Sequence, residues 1–526
     1  MTSAVYTVEI DIDRDSAYGH AQSDLTPYVT ALSWNNGMTK WDQEVAAPAR
    51  LTVTLDNGSG AFDTDRTSAL YYGLINRGTL VRVRATYAAS TYTLFVGKIT
   101  GINVDAGVYT HEASLQVSDL LDDLLDIEYV PPLQTNVTTG AVLGALFDRG
   151  IVALAYTTDY WILGQAGYSE LGTTTILLGG SSMVALDPGQ TTLAYAGDNA
   201  GTEHGISALG YVRDIVAAEC GGRFFFNSRT GLFTFHGRHY NVNYTPAFTL
   251  TAADIDGVTY QAQEDIVNSI NVSFQPRSVG TADSIVWSLD APIKLGPDST
   301  KTFTARYRHP DNQSAHVGVI NPLVPTLGTD YQGFIDLTLI DISRDLIVTV
   351  NWGGSSAQVQ LTNANAHYTM SVRKLTLRGT PITSYAKQTA AVFDVDSYIA
   401  YGIHEKNVTL RALDDEVLAT DYANNIIAQF RNGVARAETL TVNANKSDAR
   451  MTLAMSCAPG TVVTVDDGES EHNADYVIVG EAHRVRAGGE HTHDVTLTLK
   501  PLARAQYWVL GRVGFSELGT TTILAF

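Results

Sequence analysis

The 526-residue sequence has little positive charge: Lys plus Arg number 34 against 55 Asp plus Glu, for a net charge of −21. No lysine occurs between Lys98 and Lys294. Binding that neutralises nucleic-acid phosphates needs a basic surface, so this composition excludes it. Charged residues make up only 17% of the chain and apolar ones 44%, which excludes a disordered acidic tail. No apolar run reaches the roughly 18–20 residues that span a bilayer. The start, Met1-Thr2-Ser3-Ala4-Val5-Tyr6, has no basic region followed by an apolar core, so no signal peptide is expected. The two cysteines, Cys220 and Cys457, fit no metal or redox spacing and are expected to be buried free thiols. Together these features point to a soluble protein made in a reducing cytoplasm.

The sequence contains abundant two-residue alternation. Leu51-Thr52-Val53-Thr54-Leu55 ends in the turn signal Asp56-Asn57-Gly58. Thr79 to Ala85 and Tyr92 to Val96 predict a hairpin, and the same period recurs at 346–350, 359–361, 372–377 and 495–499. The fold class is therefore mainly β with a few helices, and the length implies several domains. Residues 1–115 read as an antiparallel barrel or sandwich, with another all-β block near 286–390. Four helices interrupt this pattern: one capped by Ser118, then 139–149, 207–220 and 414–432. In the last, Asp414-Asp415-Glu416 suits the positive helix end, and Ala419, Tyr422, Ala423, Ile426, Ile427 and Phe430 share one face. Phe224-Phe225-Phe226 and Phe233-Thr234-Phe235 flank a Gly-containing loop and predict another hairpin.

One internal repeat stands out. Residues Tyr160 to Leu177 return as Tyr507 to Leu524, identical at fourteen of eighteen positions. An apolar segment at a chain end buries itself poorly alone, so the second copy is read as an arm against a neighbouring domain or subunit. Its contact residues would be Tyr507, Trp508, Leu510, Leu518, Ile523 and Leu524. Packing of each copy on its own chain is the alternative.

Catalytic motifs are missing. There is no phosphate-binding loop, nucleophile elbow or zincin motif. Asp11-Ile12-Asp13-Arg14-Asp15 begins like a calcium loop but lacks the turn glycine and the bidentate glutamate, and reads as an exposed strand edge. Asp122-Asp123 and Asp466-Asp467-Gly468-Glu469 read as solvated charge. The only metal candidates are His491 and His493, two apart on one strand face. A two-residue Gly488-Gly489 turn would put Arg484 and Arg486 on that face, hostile to a cation. A one-residue slip would bring His483 instead, and both registers stay open. The chain is read as no enzyme, with no cofactor.

Several stretches, taken in order, resemble the tail-hub or baseplate-hub (minor tail) proteins of tailed bacteriophages. They are Asp24-Leu25-Thr26-Pro27-Tyr28-Val29, Leu51 to Asp63, Leu70-Tyr71-Tyr72-Gly73-Leu74, Gly78 to Ala85 and Leu94 to Ile99. Glu219 to Phe235, Asp414 to Asn432, Pro459 to Val465 and Leu497 to Leu502 continue the series, which spans about two thirds of the chain. The resemblance implies a first hub β-barrel at 1–130, a connector at 131–205 and a helix-plus-hairpin segment at 206–285. It implies a second hub barrel at 393–505 and a terminal arm at 506–526. The block at 286–392 departs from that pattern and reads as an inserted β-sandwich. The resemblance further implies a virion protein at the tail tip: a homotrimer whose six barrels ring a channel that DNA crosses only in transit. Its partners would be a tail-tube or distal tail protein, a tape-measure protein and a tail-tip, fibre or spike protein. A second reading is a receptor- or glycan-binding tail protein, with Tyr331, Trp352 and Tyr368 contacting host cell-wall glycan.

Overall fold

The computed structural model describes residues 3–15, 17–106, 111–129, 131, 133–148, 164–165, 177–178, 181–197, 206–241, 244–261, 266–432, 436–468, 470–486 and 492–502. The N-terminal part forms β1 (Val5–Ile10), β2 (Val29–Gly37), β3 (Arg50–Asp56), β4 (Leu80–Tyr87), β5 (Ser90–Ala106) and β6 (His111–Ser118). Alternation sets their faces: Leu51, Val53 and Leu55 are buried, while Thr52 and Thr54 between them are half-buried. The β4–β5 hairpin turns at Ala88 and Ala89, both at positive φ (48° and 63°). Two consecutive positive φ values match the twist of the flanking strands, here without glycine.

The four helices expected from the sequence form, with one cap corrected, and two short ones, Val395–Tyr401 and Asp448–Ser456, were not expected. After β6 a 3-10 turn, Leu120–Asp122, runs into a short helix, Asp123–Asp126. Its cap is Asp119, whose side chain accepts the Leu121 N–H; Ser118 is still paired in the β-ladder. Asp123 is not solvated charge: its side chain is largely buried and ion-paired with Lys98, while Asp122 pairs with Arg50 at 3.1 Å. Asp11 likewise is no exposed strand residue; it is fully buried in the turn after β1 and accepts the Asp15 N–H. Helices α1 (Thr139–Asp148) and α2 (Ala208–Ala218) follow, the second capped by the Ser207 hydroxyl. Then come the hairpin β7 (Arg223–Asn227) and β8 (Leu232–His236), and strands β9 (Gly257–Gln261) and β10 (Ser269–Phe274).

A separate apolar core occupies residues 286–377, built on Val286, Tyr307, Val359, Leu361 and Leu377. Its strands include β11 (Tyr331–Ile335), β12 (Leu346–Trp352), β13 (Ser356–Asn363) and the long β14 (Met370–Ser384). β15 (Gln388–Phe393) leaves this core and pairs with β10. After α3 (Val395–Tyr401), β16 (Glu405–Leu410) pairs parallel on the other side of β10. Ile270, Val272, Ala390 and Leu410 of this small sheet share a core with Ala423 and Ile427 of α4 (Glu416–Phe430). Asp415 caps α4 by accepting two N–H groups.

The chain closes with β17 (Arg436–Asn443), α5 (Asp448–Ser456), β18 (Val462–Asp467), β19 (His472–Arg486) and β20 (Thr492–Pro501). Two barrels were expected. The strands instead form one twelve-stranded sheet, whose main path runs β1-β4-β5-β6-β3-β2-β19-β20-β17-β9. Among the described residues no barrel closes. The reason is the β2–β19 pairing: the edge of the N-terminal half is taken by the C-terminal half. One core then serves both, joining Leu32, Val53 and Leu115 to Val485, Val495 and Leu497.

Candidate functional site

The seam between the halves carries the densest buried chemistry among the described residues. Across it, Trp34 pairs with His483, Asn36 with Glu481 and Gly37 with Gly480. The glycines permit the approach: a Cβ at Gly480 would stand 1.8 Å from the Met38 carbonyl oxygen. At Gly37, φ is +80° and a Cβ would meet the Val479 carbonyl oxygen at 2.4 Å.

Glu481 is fully buried, and Arg229, from the β7–β8 turn, reaches it. The Arg229 Nε donates to Glu481 Oε1 at 3.1 Å and Nη2 to Oε2 at 2.9 Å, a bidentate pair. The same guanidinium donates to the Met455 and Ala454 carbonyls, which the end of α5 leaves without helical partners. Asn36 Nδ2 adds a bond to Glu481 Oε1 at 3.1 Å. Burial works to raise the Glu481 pKa, but the Arg229 charge and His483 override it and hold the carboxyl well below its usual range.

A chain of polar contacts continues from Glu481. His483 Nε2 faces Glu481 Oε2 at 3.2 Å, and its ring stacks on Trp34 with centroids 4.5 Å apart. His483 Nδ1 lies 2.8 Å from His493 Nε2, and His493 Nδ1 lies 2.8 Å from the Tyr6 hydroxyl. The 3.2 Å contact is one of charge, and His483 Nε2 makes no aligned hydrogen bond. A carboxylate only accepts, so the arrangement that turns a proton toward Glu481 has both rings protonated on Nε2, with Tyr6 donating to His493 Nδ1. Both rings are neutral, in agreement with burial lowering both pKa values.

This cluster answers the metal expectation. β19 and β20 pair Val485 with His493 and Arg484 with Asp494, the slipped register, which brings His483 to His493. His491 lies outside the described residues. Cys457, Glu481 and His483 do place three potential ligand atoms within 4.8 Å of one another. The donor set does not fit a cation. Arg229 already supplies the positive charge, and burial with the Glu481 charge pushes the Cys457 thiol pKa far up, keeping it protonated. The arrangement is an internal tie joining β2, the β7–β8 turn, α5, β19 and β20. Arg229 is read from sequence as an ordinary turn residue. Glu481 had a signal: it is a lone carboxylate at an inward position after the apolar run Val477-Ile478-Val479.

The glycan candidates do not form one platform. Trp352 pairs with Ala357 at one end of the β12–β13 hairpin and is half-buried near Tyr307. Tyr368, 51% exposed, bonds through its carbonyl to Asn363, whose partner Leu346 starts β12. That spacing separates them by about 20 Å. Tyr331 is half-buried against the core of the 286–377 block. Tyr507, Trp508, Leu510, Leu518, Ile523 and Leu524 lie outside the described residues.

Among the described residues, exposed large apolar side chains concentrate in two regions. One lies in the 323–347 stretch, where Val324 and Leu337 are 77% and 92% exposed. The other is continuous in sequence: Phe393, Val395, Tyr398, Ile399, Tyr401 and Ile403 are all exposed, Ile399 by 74%. Among the described residues no helix is long and apolar enough to cross a membrane.

No family model matches the sequence, and no curated relative matches it. Solved structures similar to this chain include a tail protein from Neisseria meningitidis MC58, at 10% identity and TM-score 0.45, covering 94% of this chain and 96% of that one. The 43 kDa tail protein of prophage MuSo2 from Shewanella oneidensis is similar at 9% identity and TM-score 0.43, covering 94% and 98%. The E. coli c3393 protein, described as a component of the type VI secretion system with similarity to T4 tail proteins gp27 and gp5, aligns at 9% identity and TM-score 0.31, covering 90% and 74%.

Proposed function

We propose that this protein is a structural component of a bacteriophage tail: a trimeric hub at its distal end that closes or extends the tube and anchors tip or fibre proteins. The observation that carries the reading is the seam. Two β-units from opposite ends of the chain stand side by side in one sheet, locked by Arg229, Glu481 and the two histidines. Three copies would supply six such units, the number that meets a sixfold tube. The ordered sequence resemblance supports the same reading, and a net charge of −21 suits a channel wall from which DNA phosphates are repelled. Its other partners would be the tube or distal tail protein and the tape-measure protein.

The test is the assembled mass of the purified chain, read with and without the tube protein, together with negative-stain images. A mass three times that of the chain and a ring with a central channel are expected. A chain that stays monomeric with the tube protein present overturns the reading. A second reading, binding of cell-wall glycan by the 286–377 block, is supported by the exposed ring of Tyr368. It requires Tyr368→Ala to lose retention on cell-wall glycan.

A further inference from the structure

We propose that the apolar surface at residues 393–403 is the seat of this chain's own C-terminal segment, Tyr507–Leu524. The surface is unusual for where it sits. Helix α3 has seven residues, and of these only Ser397 is buried; Val395, Tyr398, Ile399 and Tyr401 face outward. Phe393 and Ile403 extend the patch beyond both ends of the helix. A short helix with apolar side chains on its solvent side gains nothing from them until something covers it.

The platform is firmly built. The Asp394 side chain accepts the Ser397 N–H at the start of α3 and pairs with Arg431 at 3.3 Å. The Ser397 hydroxyl donates to the Arg431 carbonyl, and Asn268 Nδ2 donates to the Gly402 carbonyl at 2.7 Å. These bonds hold the start of α3 on the C-terminal end of α4 and its far end on Asn268, just ahead of β10.

The exit point of the chain selects the occupant. β17 and β20 pair as far as Thr439 with Thr498; beyond that, the hydroxyl of Tyr476, whose backbone partner is Pro501, accepts the Ala437 N–H at 2.9 Å, next to Arg436. The Arg436 guanidinium sits 3.8 Å over the Trp41 ring, and that ring is 5.3 Å from Phe430, next to the Arg431 that anchors α3. Leu502 packs on the same core as α4, β15 and β16. A series of contacts thus leads from the platform under α3 through Phe430, Trp41 and Arg436 to the end of the described chain. The five residues from there to Tyr507 reach at most about 17 Å, which suits a neighbouring surface and gives the tethered segment a high effective concentration.

The chemistry also matches. Tyr507, Trp508, Leu510, Phe515, Leu518 and Ile523 bring apolar area to an apolar seat. The segment Tyr507–Leu524 carries one arginine, Arg512, and one glutamate, Glu517, so it brings no net charge to the seat.

Disulfide trapping tests this in the full-length chain, because Cys220 and Cys457 are both buried. The variant Ile399→Cys with Leu510→Cys is oxidised, and the product is read by non-reducing electrophoresis and peptide mapping. A link within one chain is expected, independent of protein concentration and several-fold more abundant than in Leu337→Cys with Leu510→Cys. Circular dichroism confirms that each variant is folded. Four results overturn the inference: no link, a concentration-dependent link between chains, equal linking to position 337, or dimers of Ile399→Cys alone, which would put a second copy on the patch. An unlinked chain that still forms three-membered rings overturns this inference and leaves the tail reading standing.

Discussion

His483 Nδ1 and His493 Nε2 lie 2.8 Å apart in the sealed centre of the sheet, and one proton serves both. With the Glu481 carboxylate at one end, the tautomers that turn no bare nitrogen toward it are both protonated on Nε2, with Tyr6 donating at the other end. Nitrogen-15 spectra should show both rings neutral at pH 7, protonated on Nε2 and bare on Nδ1. A His493 ring protonated on Nδ1 would mean that the chain of donors runs the other way.

Arg229 and Glu481 should behave as one unit. Their side chains are 8% and 0% exposed, so removing one strands the other. Arg229→Met should cost about 3–5 kcal/mol of unfolding free energy. Arg229→Met combined with Glu481→Leu should recover much of that loss, since the pair's own Coulomb gain is offset by its desolvation. Denaturant midpoints of the four proteins in the cycle give the answer; additive losses would show that the two do not interact.

Acid should weaken the fold through histidines that burial keeps neutral. Burial, with the Arg223 charge, lowers the pKa of His236 to about 3. An unfolded histidine takes its proton near pH 6.5. The unfolded state therefore binds more protons between about pH 6.5 and pH 3, and the stability held above that window is lost as pH falls through it. Buried Asp119, with its pKa raised by burial to about 8, acts with the opposite sign, so the histidine contribution is best read by difference. His236→Gln should flatten the dependence of stability on pH between 6.5 and 4. An unchanged slope would show that His236 is not held neutral.

Gly480→Ala should open the seam. Its Cβ has no room beside the Met38 carbonyl, which is backbone and cannot rotate away. Overpacking of this kind costs about 1–3 kcal/mol. Limited proteolysis should show faster cleavage near β2, with far-ultraviolet dichroism little changed. Gly257→Ala, where a Cβ meets no atom within 4 Å, is the control.

Most strands and four of the six described helices were legible because each obeys a local rule: period two for β3 and β4, and an i, i+3, i+4 stripe for α4; the short α3 and α5 were not read from the sequence. The joining of the two halves was not. Nothing local in Trp34 or Asn36 names His483 or Glu481 as a neighbour, and the two β-units looked complete as separate barrels. The histidine register stayed open for a related reason: Gly488-Gly489 suggests a two-residue turn, whereas the pairing of Arg486 with Thr492 leaves an odd number of residues between them. Arg229 was hidden because its role depends on a carboxylate remote in sequence. Glu481 was readable in principle, since a carboxylate pointing into an apolar strand needs a partner.

The seam also governs when the protein can finish folding. Asn36 and Glu481 are separated by 445 positions in sequence. At about 5–20 residues per second, a ribosome needs on the order of 20–90 s to travel between them. Throughout that interval β2 is an open edge with its partner not yet made, and an open edge accepts any strand that arrives. Two nascent chains on one message can exchange β19 strands as readily as each can recover its own. Slow synthesis, crowded polysomes or loss of the chaperones that shield such edges should therefore lower the yield of this protein without any change in the stability of the finished fold.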